Sequence, residues 1–127
     1  SSLRPFVNKL TEFFKPKNPW IDEDRFRRNI IEIKKLSAIV AKKVIFIPIM
    51  PGTNNLLKNI HNINEHVDAY NNILYEEITL SSSSNCSIID IITKKNSDEL
   101  LLPDGHHLTV EGHKLVCSKI IHNIEYD

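Results

Sequence analysis

Apolar residues along this chain fall into two patterns, helical spacing and short unbroken runs. Leu3, Phe6, Val7, Leu10 and Phe14 predict a short helix over 3–14. Lys15-Pro16-Lys17-Asn18-Pro19 then breaks the pattern, and Trp20 and Ile21 are expected to dock this loop onto the body. Asp22 or Asp24 suits the cap of a second helix running to about Lys42, with Phe26, Ile30, Ile33, Leu36, Ile39 and Val40 as its core-facing stripe. A third helix is expected over 59–78, with Ile60, Ile63, Val67, Tyr70, Ile73, Leu74 and Ile78 on its apolar side. His61 and His66 are five apart, a poor spacing for one helical face, and read as surface residues. The last helix is expected from about Thr109 to Ile124, with Val110, Leu115, Val116, Ile120 and Ile121 inward.

Between the helices lie the unbroken runs. Val44-Ile45-Phe46-Ile47-Pro48-Ile49 is β-branched, too short for a helix, and lacks polar alternation. Strands buried on both faces of a parallel sheet have this composition. Pro48 marks the end of the strand, and Met50 to Asn55 forms the loop after it. Loops leaving the C-terminal ends of such strands form ligand crevices. Asn54 and Asn55 are placed for that, although turn formation is their commoner use. Cys86 to Ile92 predicts a second short strand with Asp90 as a polar end group, and Thr93 to Glu99 a polar connection.

Alternation of helices and apolar strands predicts an α/β fold with a parallel sheet. Two strands, apolar on both faces, leave unpaired edges and too little area for the helices to cover. The expectation is therefore that further strands come from an upstream segment, or from a separate chain after cleavage. The absence of an initiating Met points the same way. Residues 1–127 are then the C-terminal portion of a single domain.

Composition adds exclusions more than assignments. With 127 residues there is room for one domain with a core but hardly for two. Hydrophobic residues at 41% and charged residues at 25% fit a globular chain. The formal net charge is zero, so nothing global draws it to nucleic acid or to an anionic membrane. Arg25, Arg27 and Arg28, interrupted by Phe26, read as a solvated helix face. No run is long enough to span a membrane and no signal-peptide pattern is present; a cytoplasmic location is the expectation. Cys86 and Cys117 form no metal or redox motif and read as buried thiols, with a single disulfide as the other option.

The chemistry concentrates in Leu102-Pro103-Asp104-Gly105-His106-His107-Leu108-Thr109-Val110-Glu111-Gly112-His113. Asp104 and His107 are three residues apart in a predicted turn, so a carboxylate can orient an imidazole. That pairing makes a general base. Pro103 and Gly105 suit the turn, and Leu102 and Leu108 anchor its ends. Thr109 is a fair N-cap, and Glu111 complements the helix dipole. Gly112 costs roughly 1 kcal/mol of helix propensity against Ala, and a close approach of helix to sheet would account for it. A common Pro-Asp-Gly loop and a metal site made of His106, His107 and His113 are the competing readings, the latter without the usual cysteine or carboxylate spacing of zinc sites. The serines of Ser81-Ser82-Ser83-Ser84 lack the glycine frame of a nucleophile elbow.

The Asp104-Gly105-His106-His107-Leu108-Thr109 turn, followed by Gly112-His113 and a terminal helix, resembles the last sequence block of the SGNH/GDSL hydrolase family. The order before it is similar too: a helix from Phe26 to Lys42, a strand ending at Pro48, a helix carrying Tyr70-Asn71, and a short strand with Asp90. The resemblance spans most of 22–124, and its most specific part is the turn. It implies a flavodoxin-like three-layer α/β/α sandwich and ester hydrolysis through an acyl-enzyme. His107 would be the general base, Asp104 its orienting acid, and His106 the variable position between them. The family's G-D-S nucleophile block and its oxyanion donors are not found here. Gly52-Thr53-Asn54-Asn55 looks a little like the family's G-x-N-D block but follows the wrong strand. The expectation is a serine esterase, such as a carbohydrate O-acetyl esterase, whose nucleophile is supplied by an N-terminal fragment of the same protein. Its substrate would be a small-molecule or carbohydrate ester, with no cofactor, and this chain alone would be inactive. A non-catalytic SGNH-like interaction module is the alternative.

Overall fold

The computed structural model describes residues 20–80 and 85–125. The expected helix over 3–14 and the Ser81–Ser84 loop lie outside them. The described chain is mainly helical around one small parallel sheet, as an α/β sequence pattern anticipates. Helix α1 spans Glu23–Val40, and the Asp22 carboxylate caps it by accepting from the Arg25 amide at 3.0 Å. Strand β1 is Val44–Phe46, and a short helix α2, Asn54–Leu57, follows. Helix α3 is Ile63–Thr79 and strand β2 is Cys86–Ile88. A one-turn helix α4, Ser97–Leu100, precedes the final helix α5, Val110–Glu125.

The strands pair in parallel, Val44 with Cys86, Ile45 with Ser87 and Phe46 with Ile88. Alternation then divides their side chains. Phe46, Cys86 and Ile88 pack on a cluster of Ile30 from α1 with Leu74 and Ile78 from α3. The Ser87 hydroxyl meets the Asn123 side chain of α5, and Lys43 meets the Asn123 carbonyl. A second cluster, Ile91, Ile92 and Leu101, gathers Met50, Leu108, Leu115 and Val116 around it.

Both strands are shorter than their apolar runs, for a physical reason. The ladder ends where the Phe46 carbonyl accepts from the Ile89 amide. Pro48 has no N–H to continue it. Beyond it, the Asn71 side chain of α3 accepts from Ile49 N at 2.8 Å and donates to Ile49 O at 2.9 Å. One amide thus does for Ile49 what a neighbouring strand would do, and no strand forms there. The strand residues themselves are only half-buried rather than enclosed on both faces.

Other expectations are corrected by what lies opposite each element. On α1, Ile30 is buried and Phe26 packs beside it, but Ile33, Leu36, Ile39 and Val40 are exposed, the last two at 81% and 84%. The first half of the helix packs its apolar side on α3, whereas the second half meets α3 through Lys34 and leaves Leu36, Ile39 and Val40 exposed. On α5, Leu115 and Val116 join the core while Val110 and Ile121 are exposed. The inward residues of α3 behave as the periodicity predicts, except that Ile60 is exposed and precedes the helix. His66 is half-buried rather than a plain surface residue: it stacks on Trp20 with ring centroids 4.4 Å apart. The Tyr70 hydroxyl bonds the Ile21 carbonyl at 2.5 Å, so Trp20 and Ile21 do dock, onto α3. Cys86 and Cys117 are not joined by a disulfide, and Cys117 is exposed rather than buried.

Gly112 is explained by a close approach, though not to the sheet. A Cβ there would run into the Leu100 carbonyl oxygen at the end of α4 and lie 3.0 Å from Leu108 Cδ2. Gly112→Ala would gain helix propensity of up to about 1 kcal/mol, but forcing that contact costs about 1–3 kcal/mol. The expected net result is destabilisation of up to about 2 kcal/mol in urea denaturation; a more stable variant would show that α5 can retreat freely from α4.

Candidate functional site

The Asp104 turn is built from its backbone outward. Leu101 and Leu108 form an antiparallel bridge, with Leu102 N donating to His107 O at 2.7 Å and Thr109 N to Leu100 O at 2.9 Å. Leu101, only 3% exposed, anchors the bridge in the core. The chain reverses within it: Gly105 N bonds Leu102 O at 2.9 Å, and Gly105 has φ +84°, a region open to glycine. Thr109 then starts α5 as expected. Its hydroxyl accepts from Gly112 N at 3.1 Å and donates to the Leu100 carbonyl at 3.2 Å.

The unexpected support is α2. Gly105 is seated so closely on it that a Cβ would lie 2.7 Å from Leu56 Cβ and Cδ2. The Asn55 side chain donates to the Pro103 carbonyl at 2.8 Å. Asn54 gives both its backbone and side-chain N–H groups to Asp98 at the start of α4. Thr53 caps α2 by accepting from Leu56 N at 3.2 Å. Asn54 and Asn55 are therefore scaffold residues, and Asn55 also lines a depression with Leu102, Pro103 and Thr109. The same bonds occupy donors of the Gly52–Asn55 segment, since Gly52 N is held by Asn64 Oδ1 at 2.8 Å. Thr53, a residue type favoured at helix N-caps, was the available signal for α2.

Within this frame Asp104 and His107 come together. Asp104 Oδ1 accepts from the amides of His106 and His107 at 3.0 and 3.1 Å, and Oδ2 lies 2.7 Å from His107 Nδ1. The two amides, and then the imidazole, hold the Asp104 carboxyl well below the usual carboxylate range. Because an ionised carboxylate has no proton to give, His107 Nδ1 must be the donor. A neutral ring then keeps its lone pair on Nε2, the tautomer a general base uses. His107 is 73% exposed and Asp104 43%, so the pair stands at the surface.

His106 lies beside it, its ring centroid 5.6 Å from that of His107. One carboxylate oxygen of Asp104 and one nitrogen from each of these rings fall within 4.8 Å of one another. His113, the third member of the competing metal reading, is not in this group, which holds Asp104 instead. A separate depression of about 170 Å³ opens beyond the strand ends, between Pro48, Asn71, Asp90 and Lys94. Its polar groups are engaged: Asn71 with Ile49, Lys94 with Asp68 at 2.6 Å, and Asp90 with the Tyr75 hydroxyl. Burial, and then that bond to Asp90, push the Tyr75 phenol up to about 12. The candidate Ser81–Ser84 nucleophiles lie outside the described residues.

Two further expectations concern surfaces. Arg27 is bound at 2.7 Å to both Glu76 and Glu77 of α3, and these carboxylates raise its pKa. It clamps two helices. Among the described residues no helix is long and apolar enough to cross a membrane. Compared with known proteins, the chain matches no family model, no curated protein and no solved structure.

The depressed Asp104 carboxyl carries a pH signature. A group with a lowered native pKa adds stability that is complete above its unfolded value, near 3.8, and is lost as pH falls through the native value. Wild type and Asp104→Asn should therefore differ most in urea midpoint above about pH 4 and converge as the pH falls further. A difference that is constant with pH would mean the carboxylate charge is not what closes the turn.

Proposed function

We propose that this chain carries the general-base half of a serine ester hydrolase of the SGNH type. The observation that supports it is the Asp104–His107 pair, tautomer-defined and held in a braced turn directly ahead of α5. In the proposed reaction, His107 Nε2 takes the hydroxyl proton of a serine as its oxygen attacks an ester carbonyl. Collapse of the tetrahedral adduct expels the alcohol, which takes the proton back from His107, and leaves an acyl-serine. Water, deprotonated by the same nitrogen, then releases the acid and restores the serine. Asp104 keeps the ring oriented and stabilises the imidazolium. A small-molecule or carbohydrate ester, with O-acetyl groups foremost, is the proposed substrate class, and no cofactor takes part.

The serine, the oxyanion donors and further strands are assigned to a segment outside the described residues, an N-terminal fragment of the same protein. With those strands the domain would be a flavodoxin-like three-layer sandwich. The half-buried strands and their parallel pairing support this part of the reading. A specific observation favours the alternative, a non-catalytic interaction module: Leu36, Ile39 and Val40 expose an apolar stripe on α1, the kind of surface that a protein partner covers.

Intact-mass spectrometry before and after a fluorophosphonate separates the two. An adduct on a serine of an accompanying or longer species is the expected result. In that species His107→Ala should slow hydrolysis of an aryl acetate by about 10²–10⁴-fold. Absence of any adduct, or an unchanged rate in His107→Ala, transfers the assignment to the interaction module.

A further inference from the structure

The geometry points to a second use of the same turn: Asp104, His106 and His107 form a binding site for a divalent transition cation of the zinc class, which competes with the Asp104–His107 hydrogen bond. Three donor atoms, one from each residue, already lie within 4.8 Å of one another. Ligands about 2.0–2.2 Å from a tetrahedral zinc ion lie roughly 3.3 Å apart. The Asp104 Oδ2–His107 Nδ1 pair, at 2.7 Å, has to open slightly, and the His106 nitrogen, within 4.8 Å of both, has to draw in. Zinc then takes the place of the shared proton on Nδ1, and the ring, still neutral, carries its proton on Nε2 instead.

The donor set selects the ion. Two imidazole nitrogens and one carboxylate oxygen suit zinc, nickel or copper, whereas calcium and magnesium favour all-oxygen sites. The backbone supplies outer support. Asp104 Oδ1 can keep the amides of His106 and His107 while Oδ2 binds metal, fixing the carboxylate as outer hydrogen bonds do in metal sites. All three side chains are exposed, so solvent completes the coordination and the ion enters without any opening of the fold. Under the hydrolase reading, on which this one consequence rests, the ion removes the base and acts as a reversible inhibitor. Binding itself is independent of that reading.

Isothermal titration of the purified protein with zinc chloride tests the site, with His106→Ala, His113→Ala and Cys117→Ser alongside. One zinc per chain is expected, weakened about tenfold or more by His106→Ala and unchanged in the other two variants. Zinc should also abolish the His107 Nδ1–H proton signal in the NMR spectrum. No stoichiometric binding, or binding that survives His106→Ala but fails in His113→Ala or Cys117→Ser, overturns the site. Zinc binding in a protein with no fluorophosphonate-reactive serine would uphold it while removing the hydrolase reading.

Discussion

A chain that reverses between Leu101 and Leu108 has to satisfy its own backbone there, and most of this molecule's candidate chemistry follows from how it does so. The Asp104 carboxylate takes two amides that the tight reversal would otherwise leave to solvent. That use fixes its charge and its direction. Its remaining oxygen then lies against the ring three residues on. The acid–imidazole pair is thus the by-product of closing a turn, with α2 pressed on Gly105 from behind to keep the turn in shape.

The sheet is governed by a different constraint. Parallel strands are stable when enclosed on both faces and paired on both edges. Here each strand has one described neighbour and its residues are half-buried. The exposed half of α1 belongs to the same shortfall, because Ile33, Leu36, Ile39 and Val40 follow a core-facing spacing with nothing described opposite them. Arg27 and Lys34 instead hold α1 to α3 through Glu76 and Glu77, polar ties that leave the apolar stripe unused.

What could be read in the sequence was local. The Asp22 and Thr109 caps, the inward face of α3 and the Asp104–His107 pair each depend on residues within a few positions of one another. What could not be read depends on distant partners. Periodicity marks Leu36 as fit for burial but does not say what lies against it. An apolar run such as Val44 to Ile49 does not reveal that Asn71, from another helix, will take the Ile49 amide and carbonyl. Helix α2 is too short to show a period, and its anchors, Asp98 and Pro103, are more than forty positions away. The family resemblance likewise rests on the short turn, and its fold-level implications need strands that the described chain does not contain.

Thr109 has a role beyond capping. Its hydroxyl ties the first turn of α5 to the end of α4, and Gly112 lets the two backbones almost touch. The bridge, the turn and the start of α5 therefore share their hydrogen bonds and open as one cooperative unit. The amides held in that unit are those of Leu102 and Thr109, each bonded across the bridge. The imidazole stands at the surface, yet the backbone that carries it is tied through the bridge to the start of the last helix.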